Sequence, residues 1–357
     1  MNDIQFLDDE AVRHLLINLT KDEAMNFRNA IEQTLEDFSV AGERQYQPDP
    51  SSVTRPNGQR SLFRPFTSDS RVGAKLVVES APGPDGKKAP LHGVLILLDG
   101  QGNPTGVLSA EEVTGYRTSM NVMVPFCWRK YVDNIVIFGG GMQALWHTRL
   151  ILTLRGTEVK SITFVNPSKE QVDNLIERVS QENEARWKSE CSFHFIDTTA
   201  SDYQEQVKNR LSDADCVFCT TPSRKPLFPA SYLTERSSSS RQPFISAIGS
   251  WQSDMIEYNP SIGEAKGVVL VDDQQYALGN SGEIVLSKLT SRDLVELGQI
   301  IALRNGKIKP LHGRQVQQTT RFISQGFVVY KSIGVSLTDL TAGNAVLALS
   351  QKKQCRL

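Results

Sequence analysis

The chain has 357 residues, which favours two domains over one, and its 39% of apolar residues is enough for a packed core and argues against disorder. A formal net charge of -1 gives no reason to expect a nucleic-acid or anionic-membrane partner. Five cysteines, few and odd in number, fit a reducing compartment without a disulfide framework, and no apolar run is long enough to span a bilayer.

The N-terminus, MNDIQFLDDEAV, lacks a basic region followed by an apolar one, so no secretory signal is expected. A helix is predicted to start at Thr20, with Glu23 three residues on, and Met25, Phe27, Ile31, Leu35 and Phe38 follow at roughly helical spacing. Strand-like runs cover residues 74–78 and 93–98, separated by the Pro/Gly-rich loop APGPDGKKAP.

Residues 134–144 read NIVIFGGGMQA and are the most informative stretch. A short apolar run ends in G-x-G-x-x-A: Gly139 for the tight turn, Gly141 for close approach of backbone to a pyrophosphate, and Ala144 for close packing of helix on strand. A pyrophosphate then sits on the free N–H groups at the helix start. Further strands are predicted at 161–165, 192–195, 215–219, 244–248 and 268–271, alternating with helical patterns as in a parallel sheet. Cys216 and Cys219 form a C-x-x-C, but in an apolar strand i and i+3 point to opposite faces, and no second pair completes a metal site; two buried thiols are expected, and no metal. The polar stretch 234–241 reads as a surface loop, and an apolar run at 327–330 precedes a helical pattern over 337–349.

The fold class expected is α/β: a doubly wound parallel sheet, residues 126–314, inserted into a second α+β domain formed by 1–125 with 315–357. After the second strand of the inserted domain an Asp or Glu usually binds the ribose 2′-hydroxyl of NAD. Here the residues are Asn166, Ser168 and Lys169, without a carboxylate; a lysine attracts a 2′-phosphate, so NADPH is predicted over NADH. Ser168 would also cap the following helix.

Thr114-Gly115-Tyr116-Arg117-Thr118-Ser119 and the glycine loop together resemble the T-x-x-R-T-A…G-x-G-x-Q-A pattern of the ornithine cyclodeaminase/μ-crystallin family. Further pieces follow in family order: 72–77, Asp215 to Pro226, Ile248-Gly249 with Glu257, Asp272 with Ser281-Gly282-Glu283, and Tyr330 to Gly334 with Asp339. The resemblance implies a homodimeric NAD(P)-dependent oxidoreductase with its substrate between the two domains, either an imine reductase, a cyclodeaminase or amino-acid dehydrogenase, or a non-catalytic small-ligand-binding protein. It implies that Lys75 and Arg117 bind a substrate carboxylate and are the catalytic pair. Thr118, Gly141, Met142 and Gln143 would touch the pyrophosphate. Thr221, Ala247, Ile248 and Gly249 would line the cofactor, with Ser332 and Ile333 near the nicotinamide.

The chain departs from the family at two places. Cyclodeaminases and the alanine dehydrogenase carry an Asp two residues after the Gly of the 248–249 piece; this chain has Trp251, which cannot accept a proton. An early family Arg is displaced, leaving either Arg55, Arg60 or Arg64 to replace it or a substrate without a simple α-carboxylate. The expected reaction is therefore reduction of the C=N bond of a cyclic or linear imino acid, with His92, Tyr116 or a water as proton donor and the pocket drawn from Lys75, Arg117, Arg64, His92 and Trp251. A cytoplasmic location is expected, with a peroxisomal address in Cys355-Arg356-Leu357 as the alternative.

Overall fold

The computed structural model describes residues 4–84, 86, 89–237, 241–250, 252–265, 267–308 and 322–354. Trp251, the serines 238–240 and the C-terminal tripeptide 355–357 lie outside the described residues. The chain forms two units, one of residues 1–117 with 335–357, the other of 118–334.

The first unit holds a six-stranded sheet: β1 (Gln5–Leu7), β2 (Ser51–Thr54), β3 (Arg60–Thr67), β4 (Arg71–Glu79), β5 (His92–Asp99) and β6 (Pro104–Ser109), in the order β1-β6-β5-β4-β3-β2. Only β1 pairs in parallel; the rest is antiparallel. Helices α1 (Asp9–Ile17) and α2 (Lys21–Val40) belong to the same unit, as does the C-terminal helix Leu337–Gln354. The capping box at the start of α2 forms as the sequence predicts, with Thr20 and Glu23 each satisfying the other's backbone N–H. The C-terminal helix lies on one face of the sheet, so close that a Cβ on Gly343 would sit 2.5 Å from the Leu95 side chain.

The other face of this sheet carries a run of apolar side chains. In-register pairing puts Phe6, Val107, Val94, Ile96, Val72, Leu76, Val78, Phe63 and Val53 on that one face. Of these Phe6, Val94, Val72, Val78, Phe63 and Val53 are exposed. An antiparallel sheet in water ordinarily alternates apolar-in with polar-out; this one exposes apolar side chains on its outer face.

Helix α3 (Ala110–Phe126) contains the division between the units, which falls between Arg117 and Thr118 rather than after residue 125. The second unit is an eight-stranded, wholly parallel sheet: β7 (Asn134–Phe138), β8 (Ser161–Asn166), β9 (Ser192–Asp197), β10 (Cys216–Cys219), β11 (Phe244–Ala247), β12 (Val268–Val271), β13 (Leu294–Glu296) and β14 (Val328–Lys331). Its order is β13-β12-β14-β11-β10-β7-β8-β9, with helices α4 (Met142–Arg155), α5 (Lys169–Glu182) and α6 (Tyr203–Asp213) between strands. Helices cover both faces: α6 packs Val207 and Leu211 with Val217, while Phe126 and His147 meet Phe218 on the other side.

One expectation is corrected. The run at 327–330 was expected to go with the C-terminal flank, yet β14 pairs with β11 on one side and β12 on the other. All four of its residues are buried. A strand apolar on both faces needs covered faces and a neighbour at each edge, which only the parallel sheet supplies. The three-residue strand β13 was too short to show in the sequence pattern.

Candidate functional site

In the second unit the strand order reverses between β7 and β10, the topological switch point where doubly wound sheets bind ligands beyond the carboxyl ends of their strands. The glycine loop lies there. Gly139 has φ +116°, and a Cβ would meet Thr220 Oγ1 at 2.6 Å, so only glycine fits the turn. Gly141 is different: φ is -91°, and a Cβ would find nothing nearer than Gln171 Nε2 at 4.0 Å. Nothing in the protein demands a glycine at 141, whereas an incoming group approaching the backbone does. Gly141 is the N-cap of α4 and offers no side chain to it; the first helical bond runs from Leu145 N to Gly141 O, which leaves the preceding N–H groups without intrahelical acceptors. No acidic residue occupies the first turn. These features fit a dinucleotide pyrophosphate.

Neighbouring side chains hold this turn in place. Ser119, next to Thr118, reaches Gln143 Oε1 at 3.4 Å and His147 Nδ1 at 2.9 Å. His147 is fully buried, and burial lowers its pKa to about 4, so it packs as a neutral ring. At the end of β8, Asn166 donates to Ser168 O and Gln171 Oε1, Ser168 caps α5 by accepting from Gln171 N, and exposed Lys169 pairs with Asp173. Ser168 thus has the capping role, with no carboxylate at Asn166, Ser168 or Lys169. Both C-x-x-C thiols are buried in β10, and burial raises Cys216 to about 12 and Cys219 further.

Beyond β10, β11 and β14 the backbone is clamped by buried carboxylates. Glu257 accepts from Thr221 N and Gly249 N, while Asp272 accepts from Ser332 Oγ, Ile333 N and Gly334 N. Ser250 Oγ donates to Ser332 O. Thr221, Gly249, Ser332 and Ile333 are therefore held at the strand ends, with Ala247 and Ile248 leading into Gly249.

The first unit contains a separate cluster. Lys75 on β4, Arg117 on α3 and Asp339 on the C-terminal helix are all buried. Lys75 Nζ donates to Asp339 Oδ1 at 2.9 Å, and Arg117 Nε to the same oxygen at 2.8 Å. Arg64 stands in register opposite Lys75 on β3 and acts electrostatically on both Lys75 and Asp339. Burial lowers the Lys75 pKa to about 7, against the opposing pull of Asp339. Burial alone would raise Asp339, but Arg117 and Lys75 outweigh it and hold the carboxyl below its usual value. Three cations thus surround one carboxylate. Arg117 Nη1 is buried and has no hydrogen-bond partner among the described residues. A buried donor left unmade costs about 1–3 kcal/mol or more when charged. Such a site suits an anion.

The cluster separates the sequence candidates. Of Arg55, Arg60 and Arg64, only Arg64 faces Lys75; Arg55 is exposed and Arg60 reaches Ser52. His92 is not brought to the cluster: it is exposed and pairs with Glu111 Oε1 at 2.8 Å. Its register partner is Val78, an odd number of residues from Lys75 and so on the opposite face of the sheet. Tyr116 is buried against Phe27. Asp339, Glu257, Glu283 and Lys331 had no role from the sequence. For Lys331 the signal was an ionisable residue at the end of an apolar run, Val328-Val329-Tyr330-Lys331.

No family profile matches the chain. A protein of Dictyostelium discoideum described as an uncharacterized cyclodeaminase is 27% identical over 293 residues, covering 80% of this chain and 77% of that protein. An uncharacterized protein of Saccharomyces cerevisiae is 21% identical, covering 82% and 81%. Among solved structures, the Δ1-pyrroline-2-carboxylate reductase of Thermococcus litoralis, in complex with NADH and L-proline, superposes with a TM-score of 0.74 at 15% identity over 98% of each chain. The iminosuccinate reductase of Paracoccus denitrificans, in complex with NAD+, gives 0.73 at 16% over 98% and 97%. A probable ornithine cyclodeaminase of Bordetella pertussis gives 0.70 at 18% over 99% and 98%. The solved neighbours are members of the family that the motifs resemble, and this chain has their fold.

Proposed function

We propose that this chain, built on the fold of the ornithine cyclodeaminase/μ-crystallin family, is an NAD(P)H-dependent oxidoreductase that reduces the C=N bond of an imino acid. The observation that carries the reading is the buried Lys75–Arg117–Asp339 cluster with its unpartnered Arg117 Nη1, in a chain that also holds a dinucleotide-type glycine loop. Lys75, Arg117 and Arg64 fix the substrate carboxylate, mainly a positioning contribution. The reduced nicotinamide, when bound, supplies hydride. The imine nitrogen takes one proton to become an iminium, its carbon takes the hydride, and an amine results. With Lys75 brought to about 7, its ammonium is poised to provide charge or a proton near neutral pH.

Reduction is preferred over cyclodeamination because residue 251 is Trp, and deprotonation of an amine or water needs a base. NADPH is proposed over NADH, supported by the lack of a carboxylate at Asn166, Ser168 and Lys169 after β8. A homodimer is proposed through the apolar outer face of the six-stranded sheet, whose exposed Phe6, Phe63, Val72, Val78 and Val94 a second copy would cover.

The test is oxidation of NADPH and of NADH in the presence of cyclic and linear imino acids, Δ1-pyrroline-2-carboxylate first. The expected result is turnover to the corresponding amino acid, faster with NADPH. Tight binding of imino acids with no oxidation of either nucleotide would leave a binding protein instead.

A further inference from the structure

Three ionisable side chains, Glu257, Glu283 and Lys331, are completely buried near the carboxyl ends of the parallel strands. Glu257 Oε1 accepts from Thr221 N at 2.6 Å and Thr221 Oγ1 at 3.1 Å, and Oε2 accepts from Gly249 N at 2.7 Å. One carboxylate therefore staples the loop after β10 to the loop after β11. Glu283 Oε1 accepts from Glu257 N and from Lys331 Nζ, both at 2.9 Å, and Lys331 Nζ also donates to Gly249 O at 2.7 Å. Only Glu283 pairs directly with the ammonium; Lys331 acts on the Glu257 carboxylate through its charge. Burying an ion pair is at best neutral against apolar side chains, and a second carboxylate adds a further desolvation cost. A cost of that kind, kept at strand ends, points to use rather than stability.

The placement of the cluster suggests that use. In a doubly wound sheet the end of the second strand, here β8, meets the adenosine ribose, and the first turn meets the pyrophosphate. On the dinucleotide reading, the nicotinamide half would fall over β10, β11 and β14, whose loops Glu257 and Lys331 hold. Gly249 has no room for a side chain: a Cβ would lie 2.7 Å from Thr221 O and 3.0 Å from Glu257 Cδ. The carboxylate therefore lies directly against the backbone of that loop. The nicotinamide ring is neutral when reduced and positively charged when oxidised.

We propose that Glu257 supplies a buried negative charge that favours the oxidised, cationic nicotinamide over the reduced one, and so stabilises the charge that grows on the ring as hydride leaves; the inference rests on the dinucleotide reading above. Hydride transfer moves two electrons and a proton from the ring to the iminium carbon. The positive charge moves the other way, from substrate nitrogen to ring. A fixed charge that needs no reorganisation acts on that shift directly.

The geometry makes the effect depend on pH. Burial raises the Glu257 pKa to about 7; Lys331 and the N–H groups of Gly249 and Thr221 act against that rise, and Glu283 acts with it. Cys219 and Tyr258, on which Glu257 acts electrostatically, are themselves pushed up by burial and stay neutral. Above about 7 the cluster carries the extra charge; below it, the charge is lost. By reciprocity the oxidised nucleotide lowers the affinity of Glu257 for its proton.

Calorimetric titration of the whole protein with NADP+ and with NADPH tests this. From about pH 6 to about pH 8.5 the ratio of Kd for NADP+ to Kd for NADPH should fall roughly ten-fold. The ratio should be high and flat in Glu257→Gln, and should still fall in Glu257→Asp, which keeps the charge. A second measurement needs no variant: in two buffers of different ionisation heat near neutral pH, the wild-type protein should release more protons on binding NADP+ than on binding NADPH. A flat ratio with equal proton release overturns the inference, as does a pH dependence that survives in Glu257→Gln. Failure to bind either nucleotide overturns the dinucleotide reading and this inference with it.

Discussion

Lys75 and Asp339 lie 264 residues apart in the chain, yet Lys75 Nζ sits 2.9 Å from Asp339 Oδ1 with both side chains buried. Arg117 Nε reaches the same oxygen. One carboxylate thus holds two cations apart from water and leaves Arg117 Nη1 without a partner among the described residues. The cluster has more positive charge than its own carboxylate neutralises, which supports the proposed binding of a substrate carboxylate there.

Lys75→Met and Arg117→Met should each lower kcat/KM for an imino acid by a factor of roughly 10 to 100, the loss of a charged hydrogen bond of about 1.5–3 kcal/mol. Steady-state kinetics on folded variants checks it. Unchanged values would place carboxylate binding elsewhere.

The lowered pKa of Lys75, about 7, sets a pH profile. Lys75 is charged below that value and neutral above it, so kcat/KM, which reports the free enzyme, should fall as pH rises through about 7. In Lys75→Arg the guanidinium stays charged and the fall should vanish. Protonation of the imine is the same for both proteins, so comparing the two profiles isolates the side chain. An identical fall in both would assign it to the substrate.

Gly141→Ala should fold with a melting temperature close to wild type, because a Cβ there meets nothing within van der Waals contact and φ is ordinary. Its affinity for a dinucleotide should drop about ten-fold or more, since the methyl group occupies the approach to the helix N–H groups. Gly139→Ala should instead lose stability, because φ +116° is strained for alanine. Thermal melts paired with nucleotide titration distinguish the two, and a Gly141→Ala protein that binds normally would contradict the cradle.

Ser168→Asp keeps a good N-cap for α5 while adding a carboxylate beside the proposed site of the 2′-phosphate. Its Kd for NADPH should rise roughly ten-fold or more through charge repulsion, with little change for NADH. Nucleotide titration of both proteins decides it; equal effects on the two would indicate that Ser168 does not face the 2′ group.

Val94→Lys places a charge on the apolar outer face of the six-stranded sheet, where Val94 stands opposite Leu76. If a second copy covers that face, light scattering should show wild-type protein at twice 39.7 kDa and the variant at 39.7 kDa. A wild-type monomer would refute the proposed dimer.

Much of the parallel sheet could be read from residues alone. The strands at 134–138 and 268–271 form as predicted. Each depends on a short apolar run, which neighbours in sequence reveal. The place of β14 was not legible: an apolar run of four residues states that it is buried, not between which strands. Of the antiparallel partners of β4, β5 was predicted at 93–98, but β3 was missed, since it carries Arg60, Arg64 and Pro65 and lacks clean alternation.

The sequence by itself determined the glycine loop and the strand leading into it, because the apolar run is local and positive φ at Gly139 is a local demand that only glycine meets. It also supplied Lys75 and Arg117 as candidates by resemblance. Tertiary structure alone decided that Asp339 joins them, that Arg64 rather than Arg55 or Arg60 stands opposite Lys75, and that His92 turns to the other face. The physical reason is range. Backbone preference acts over a few residues, whereas buried charges are brought together only when the fold excludes water around them, and strand register then sets which side chains share a face.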